Sequence, residues 1–227
     1  MATLLLRLVA PLQCWGVDSK FETRKTNREP TKSGILGLVA AALGLRRDDE
    51  EGLARLARLR FGVRVDREGD LLVDFHTAHR VDGKKETAWV TYRHYLCDAV
   101  FLVGLESDDR AWLGALEAAL RRPVYPPFLG RRSCPPTQPL CLGVREAELV
   151  AALRAEPRLV KPRRGEGDTL RLVIDAAPGE AGAPVRDLPL SFSPFQRRFG
   201  FRPAREAFVP APREPETETA HDPFVEL

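Results

Sequence analysis

Two strongly apolar segments, each followed by a helical pattern, constrain the fold of this chain more than any other feature. Residues 2–11 (ATLLLRLVAP) predict a buried strand, and residues 31–45 (TKSGILGLVAAALGL) predict a helix that follows it. Residues 96–106 (LCDAVFLVGLE) repeat the strand pattern, and residues 109–123 predict an amphipathic helix stopped by a proline. Two strand–helix units of this kind predict a layer of helices packed on a sheet.

The segment between these two units predicts a hairpin and a further helix. Residues 61–65 and 71–75 are β-prone runs, and the EGD turn at residues 68–70 predicts that they pair. An amphipathic helical pattern precedes them at residues 48–59. The order strand, helix, hairpin, basic excursion, strand, helix predicts an α+β, ferredoxin-like βαββαβ domain over residues 1–143. Its sheet is expected to carry helices on one face.

The remainder of the chain predicts a smaller β-rich lobe and a tail. Residues 144–209 contain one short helical pattern and several β-prone runs, which predict a C-terminal lobe packed on the first domain. Residues 210–227 form a tail rich in proline and acidic residues, which we expect to be flexible. The stretch 214–227 has five acidic residues and no Lys or Arg, so the net charge of +3 hides a body of +8. A basic body favours a polyanionic partner, although an arginine-rich proteome would give the same charge.

Four basic clusters interleaved with aromatic residues favour single-stranded RNA as that polyanion. Guanidinium groups bind phosphates, and aromatic rings stack on unpaired bases. Any one such cluster is usually a solvated face, and only the four together favour RNA binding. The clusters are Lys20, Arg24, Lys25, Arg28 and Lys32 with Trp15 and Phe21; His76, His79, Arg80, Lys84, Lys85, Arg93 and His94 with Trp89 and Tyr92; Arg131 and Arg132; and Lys161, Arg163, Arg164, Arg197, Arg198, Arg202 and Arg205 with Phe199 and Phe201.

A stiff, apolar loop surrounds the third cluster. Residues 125–143 (YPPFLGRRSCPPTQPLCLG) contain five prolines, which exclude a long helix and lower the entropy lost when the loop becomes ordered. We therefore expect the loop to hold Arg131 and Arg132 in place. Gly130 is expected to permit a close approach of two backbone segments.

Other kinds of site and location are disfavoured by the sequence. The four cysteines form no CxxC pair, so reduced thiols in a cytoplasmic protein are expected in preference to a zinc site. A bridge between Cys134 and Cys141 is disfavoured because no secretory leader is recognised. The longest apolar run, residues 34–45, is too short to span a bilayer, so no membrane partner is expected. Walker, GxSxG and HExxH motifs are absent from the sequence, and we expect neither a metal nor a cofactor.

Three motifs in residues 4–143 are specific enough to indicate a family. They are LQCWGVDSKFETRKTNREPTKSGILGLVAAALGL (residues 12–45), FHT…ETAWVTYRHYLCDAVF (residues 75–101) and YPPFLGRRSCPPTQPLCLG (residues 125–143). In content and in order these motifs resemble the CasD family, a subunit family of the type I-E CRISPR surveillance complex, Cascade.

This resemblance implies an antiviral ribonucleoprotein subunit with the RRM-related, ferredoxin-like fold of repeat-associated RNA-binding proteins. It implies that the chain caps the 5′ handle of the crRNA and that a β-hairpin thumb at about residues 76–95 clamps this handle. It also implies contacts with the backbone subunit CasC and the large subunit CasA, with contact to target DNA near the handle left open. A separate subunit, CasE, cuts the precursor RNA in this subtype, so a non-catalytic role is expected. Relatives in another subtype cut RNA themselves, which leaves a metal-independent endoribonuclease using His76 or His94 as the alternative.

The resemblance and the basic clusters together give a set of expected RNA contacts. We expect Arg131 and Arg132 to bind handle phosphates, with the free N–H groups of the helix start at residues 32–34 as a second anchor. The expected RNA-binding residues are Trp15, Arg24, Lys25, Lys32, Ser33, Gly34, His76, Arg80, Lys84, Lys85, Trp89, Arg93, Gly130, Arg131, Arg132 and Ser133.

Overall fold

Strands predominate in the mixed α/β structure of this chain, a computed structural model that describes residues 1–16, 22–83, 85–163, 167–177 and 179–212. Within the described residues, no helix is both long enough and apolar enough to cross a membrane. The elements in chain order are β1 (Ala2–Val9), β2 (Leu12–Gln13), β3 (Thr23–Arg24), α1 (Lys32–Leu43), α2 (Glu50–Ala57), β4 (Arg60–Arg67), β5 (Asp70–Asp82), β6 (Lys85–Cys97), β7 (Val100–Ser107), α3 (Arg110–Arg121), β8 (Cys141–Arg145), α4 (Leu149–Ala155), β9 (Thr169–Asp175), β10 (Ala183–Ser191) and β11 (Arg198–Pro210).

Seven of these strands form one antiparallel sheet in the order β10-β11-β9-β4-β7-β1-β8. Leu4 and Leu6 of β1 face the core formed with α1 and α3, whereas Leu5 faces the smaller core formed with α4. The strand reads as a continuous apolar run because both of its faces are buried. Within residues 1–143, α1, α2 and α3 pack on one face of the sheet, as expected for that domain, whereas α4 from the C-terminal half packs on the opposite face.

The predicted hairpin between residues 61–65 and 71–75 is also wrong. β4 pairs with β7 on one side and with β9 on the other, so both of its edges are hydrogen-bonded within the sheet. β5 leaves that sheet and pairs with β6 along all thirteen of its residues. β6 in turn pairs with β2 and β3, which fixes the base of this β5–β6 hairpin. The basic excursion expected at residues 76–95 is thus the outer part of a longer hairpin, residues 70–97.

Strands from the expected C-terminal lobe, residues 144–209, continue the main sheet. β9 pairs with β4, and β11 and β10 follow it outward. α4 packs on β1, β4 and β7 of the N-terminal half. The chain does not break into two sheets after residue 143, because the second edge of β4 is filled by a strand from the C-terminal half. Of the expected tail, residues 213–227 lie outside the described residues.

Four buried charged side chains join β9, β10 and β11 to the start of α1. Lys32 Nζ donates to Asp175 Oδ2 at 2.8 Å, and Arg202 Nη1 donates to Asp175 Oδ1 at 2.7 Å. Arg202 also forms a two-pronged pair with Asp187, with N–O distances of 2.6 and 2.9 Å. These side chains are between 4% and 13% exposed, so each charge depends on its partners. We call these four residues the buried ion network.

Replacing Asp175 with Ala should lower the free energy of unfolding by roughly 3–5 kcal/mol, because Lys32 and Arg202 then lose their shared carboxylate in a buried site. Urea unfolding followed by circular dichroism measures the change. Asp48→Ala is the matched control, since Asp48 pairs with Arg46 at an exposed position and its loss should cost about 1 kcal/mol or less. Equal losses for the two variants would contradict a structural role for the network.

Candidate RNA interface

The proline-rich loop at residues 125–143 is anchored to the segment that follows β2. Cys14 N–H donates to Leu129 O at 3.1 Å, and Leu129 N–H donates to Cys134 O at 2.7 Å. Leu129 and Cys134 are buried in the core, so these two side chains anchor the loop to the protein interior. Gly130 has a φ of 86°, and a Cβ atom there would lie 1.5 Å from Cys14 O. Only glycine fits where the two segments cross.

Arg131 is held in a fixed position by three groups from other segments. Its Nη1 donates to His94 O at 3.2 Å, and its Nη2 donates to Arg24 O at 2.8 Å. Its guanidinium carbon lies 4.6 Å from the centroid of the Tyr95 ring, a cation–π contact. The proline-rich loop therefore presents a positive charge whose geometry is set by β3 and β6.

Trp15 lies in the core and not at the surface. Its side chain is 1% exposed, and its Nε1–H donates to Gln13 Oε1 at 3.2 Å. Gly34 packs against the ring, because a Cβ atom on Gly34 would lie 3.0 Å from Trp15 Cε3. The ring is therefore not available to stack on a base, contrary to the expectation for Trp15. Trp15 instead packs in the core against Gly34 at the start of α1.

The start of α1 is already capped by protein groups. Thr31 Oγ1 accepts a hydrogen bond from Gly34 N–H at 3.2 Å, and Asp187 Oδ2 accepts one from Lys32 N–H at 2.8 Å. The Lys32 ammonium group points inward to Asp175, and the residue is 4% exposed. The ammonium group of Lys32 is therefore not available to a phosphate, and the N–H groups of Lys32 and Gly34 are already used by protein acceptors, contrary to the expectation for these groups.

A groove of about 450 Å³ lies between the proline-rich loop, the start of α1 and the loop that follows β10. Its lining includes three arginines, Arg24, Arg131 and Arg197, and no carboxylate. Among the described residues, Arg24 and Arg197 have no ion-pair partner. Their charges are thus open to an anionic ligand. The groove brings together six of the expected residues, Trp15, Arg24, Ser33, Gly34, Gly130 and Arg131.

Six groove residues were not among the expected RNA contacts, and three of them come from the C-terminal half of the chain. Phe192 and Arg197 lie in the loop between β10 and β11, and Phe199 lies at the start of β11. Arg197 and Phe199 fell within the fourth basic cluster, but no local pattern placed that cluster beside the proline-rich loop. The alternation of aromatic and basic residues in SFSPFQRRFG (residues 191–200) is the signal that could have marked them.

The β5–β6 hairpin carries further expected residues on one of its two faces. The cross-strand register places His76, Arg80, Trp89 and Arg93 on the same face. His76 Nε2 lies 2.7 Å from a carboxylate oxygen of Asp74, so His76 already has a polar partner within the hairpin. The opposite face exposes a row of apolar side chains, Leu71, Val73, Phe75, Val81, Val90 and Tyr92.

The other expected residues lie outside the groove. Lys25, Arg132 and Ser133 are exposed, with Arg132 and Ser133 directly after Arg131 in the proline-rich loop. Lys85 begins β6, and Lys84 lies outside the described residues. The structure therefore does not gather all sixteen expected residues in one place.

The cysteines near the groove are not arranged for chemistry. All four cysteines are free. Burial raises the pKa of the Cys14 thiol, an effect that the nearby Arg131 opposes, and burial likewise raises the pKa of the Cys134 thiol. Both thiols are therefore protonated at neutral pH and lack the thiolate form that reacts. Across the described ranges, no group of three or more His, Cys, Asp or Glu residues is placed to hold a metal ion.

Comparisons with known proteins consistently assign this chain to one family. The sequence model of the family described as CRISPR-associated protein (Cas_Cas5) matches residues 3–205. The CRISPR system Cascade subunit CasD of Escherichia coli (strain K12) is 41% identical over 163 residues, which cover 63% of this chain and 71% of that protein.

Solved structures agree with the sequence matches. A structure described as "Crystal structure of Cas protein" superposes with a TM-score of 0.73 at 42% identity, covering 94% of this chain and 99% of that chain. A chain of a "CRISPR RNA-guided surveillance complex" superposes with a TM-score of 0.79 at 37% identity, covering 92% and 91% of the two chains. The fold thus defines the class as CRISPR-associated proteins. Within this class, the chain belongs to the CasD family of type I-E Cascade, which confirms the resemblance seen in its motifs.

Replacing Gly130 with Ala should destabilise the protein more than replacing Gly83 with Ala. Both glycines have positive φ, 86° and 62°, which costs an L-residue roughly 1–2 kcal/mol. A Cβ atom at position 130 would in addition collide with Cys14 O, whereas one at position 83 would meet nothing within 4 Å. Thermal unfolding midpoints of the two variants measure the difference. Equal shifts would show that the loop can move away from Cys14 without cost.

Proposed function

We propose that this protein is a non-catalytic RNA-binding subunit of a type I-E Cascade and that its groove holds the 5′ handle of the crRNA. The observation that carries the proposal is the set of three arginines, Arg24, Arg131 and Arg197, around a groove whose lining has no carboxylate. Guanidinium groups suit phosphate oxygens because they present several N–H donors in one plane. Membership of the CasD family and the likeness to a chain of an RNA-guided surveillance complex support the assignment. The four free cysteines fit the cytoplasmic location that the proposal requires.

The fixed arginine gives the groove a defined point of attachment. Arg131 uses one donor each on Nη1 and Nη2 to bind backbone carbonyls. A guanidinium group has five N–H donors, so others remain for a phosphate. Because the side chain is already ordered by its carbonyl partners, binding an RNA phosphate costs little additional side-chain entropy.

The hairpin is proposed to act as the thumb. Its face with His76, Arg80, Trp89 and Arg93 suits the RNA handle, since it combines basic groups with an exposed indole. Its opposite face suits a protein, because it exposes several apolar side chains, including Phe75 at 67% exposure, which the His79–Glu86 pair interrupts toward the hairpin tip. We assign that apolar face to the backbone subunit CasC. CasA and target DNA near the handle are further proposed partners, on the basis of family membership.

The finer fold assignment is part of the proposal. In chain order, β1, α1, β4, β7, α3 and β8 follow the βαββαβ order of a ferredoxin-like domain, and their strands are neighbours in the order β8-β1-β7-β4. In an RRM the open face of such a sheet binds RNA. Here Leu149 and Leu153 of α4 are buried on that face. This supports an RNA site at the margin of the sheet, where the groove lies.

The placement of the histidines supports a non-catalytic role. His76 and His79 are three residues apart on β5 and therefore point to opposite faces of the hairpin. His79 and His94 share a face, but six residues of strand separate His79 from Val73, the cross-strand partner of His94. At about 3.4 Å per residue this separation is roughly 20 Å. No two of these three histidines can act as an acid–base pair on one ribose.

Labelled repeat RNA incubated with the full-length protein in EDTA should remain intact, because no two of these three histidines are placed as an acid–base pair. Gel electrophoresis of the RNA over time provides the measurement. Specific cleavage that is abolished by His76→Ala or His94→Ala would instead establish the metal-independent endoribonuclease.

Replacing Arg24 or Arg132 with Ala should weaken binding of handle RNA and flatten its dependence on salt. Each lost phosphate contact lowers the slope of log K against log salt by about 0.7 for a single strand. Fluorescence anisotropy over a salt series measures both quantities. Arg122→Ala is the matched control, an exposed arginine at the end of α3 that should leave both unchanged. An unchanged slope for Arg24→Ala and Arg132→Ala would contradict the phosphate contacts.

A further inference from the structure

Two aromatic rings form one wall of the groove. The Phe192 and Phe199 rings contact each other edge to face, with centroids 6.5 Å apart and planes at 61°. Phe192 also lies over α1, where a Cβ atom on Gly37 would be 3.7 Å from its Cζ. Neither ring is fully buried, and neither belongs to the two hydrophobic cores of the described residues. The wall therefore keeps aromatic surface that the protein's own packing does not use.

The rest of the groove is polar and positively charged. Arg131 is fixed by two carbonyl oxygens, and Gly130 brings the loop backbone close to Cys14. Arg197 is exposed beside the aromatic wall and has no ion-pair partner among the described residues. Its neighbour Arg198 is instead paired with Glu50 at 3.3 Å and does not line the groove. Aromatic surface thus stands close to unpaired cationic groups.

We infer that the groove binds one unstacked nucleobase of single-stranded RNA against the Phe192–Phe199 wall, with Arg197 and Arg131 holding the adjoining phosphates. A nucleotide has this same combination of a flat, aromatic base and an anionic phosphate. This inference rests on the proposed function and deepens it. It assigns Phe192, Arg197 and Phe199, which were not among the expected RNA contacts, to the RNA site.

The size and charge of the groove favour a nucleotide over other anionic ligands. Its volume of about 450 Å³ falls within the roughly 300–1,000 Å³ typical of clefts that enclose a small molecule or one of its parts. A free phosphate would occupy the arginines and leave the aromatic wall without a partner. An acidic peptide would likewise use the arginines alone, and it is the competing occupant that the experiment tests.

Matched substitutions on β11 and in the loop before it compare the effect of losing a groove residue with the effect of losing a similar residue outside the groove. Phe199→Ala removes one ring of the wall, and Phe201→Ala removes an exposed ring on the same strand outside the groove. In the same way, Arg197→Ala removes a charge that lines the groove, and Arg198→Ala removes a neighbouring charge that does not. Phe199→Leu keeps apolar volume but removes the aromatic face, so it distinguishes stacking on a base from simple packing.

The probe is single-stranded RNA carrying the host's repeat-derived 5′ handle, together with a series in which one nucleotide at a time is abasic. Stacking of one base is expected to account for roughly a tenfold to hundredfold change in affinity. We therefore expect Phe199→Ala and Phe199→Leu to weaken binding by that factor, and Phe201→Ala to leave it unchanged. One abasic position should weaken binding to the unmodified protein but cause no further loss with Phe199→Ala. Arg197→Ala should weaken binding and lower the salt slope, while Arg198→Ala should not.

Two results would overturn the inference. One is an abasic series with equal affinity at every position. The other is full binding by Phe199→Leu, which would show that the wall needs only apolar volume. Circular dichroism and the unfolding midpoint of each variant identify any loss that comes from misfolding, and Phe199→Leu is the variant that best keeps the packing.

The outcomes also separate this inference from the proposed function. Salt-sensitive binding that needs Arg24 but not Phe199 would retain the proposed function and reject the nucleobase site. Absence of handle binding by the unmodified protein, with binding of a poly-glutamate peptide that is lost in Arg197→Ala, would reject both and indicate an acidic protein partner.

Discussion

The groove depends on the pairing of Lys32 and Arg202 with Asp175 and Asp187 in the interior. Its floor belongs to α1, its aromatic wall belongs to the segment between β10 and β11, and the buried ion network connects the two. Removing four charges from water is costly, and their mutual attraction offsets that cost only when geometry and hydrogen bonding are good. The placement of β10 and β11 against α1 is therefore tightly specified. The width of the groove follows from that placement.

Local patterns predicted most individual elements, because the spacing of apolar residues within one segment encodes a helix or a strand. β1, α1, β7 and α3 were found in this way. Strand pairing was not, since the turn at residues 68–70 acts over only a few positions. β4 pairs instead with β9, where Val63 lies opposite Val173 and Val65 opposite Arg171. Long-range pairing is decided by which faces become buried, and that depends on residues more than a hundred positions away.

The same limit applies to the site residues, because a local pattern does not show which distant groups a side chain will contact. Arg131 and Gly130 stood out because prolines and a glycine around an arginine pair constrain a loop locally. Lys32 looked like a surface cation beside a helix cap, although its partner Asp175 is 143 positions away in the sequence. A lysine gives the same local pattern whether its ammonium group meets solvent or a distant aspartate. Trp15 was misread for the same reason, since a ring that supports a helix and a ring that stacks on a base look alike in sequence.

The position of the groove follows from how the sheet is covered. α4 occupies the face that an RRM uses for RNA, so the proposed RNA site is assembled from loops instead. Loops give precise contacts only when rigid elements hold them, and Arg131 meets this condition through two carbonyl bonds to β3 and β6. Arg24 and Arg197 have no such restraint among the described residues. In the proposed complex, a division of roles follows, in which the fixed guanidinium sets the register of the RNA strand and the other two arginines supply charge. The contribution of the free arginines weakens as salt rises, because exposed charges are screened. The geometry imposed by Arg131 and by the aromatic wall persists, since packing and backbone hydrogen bonds hold these groups in place.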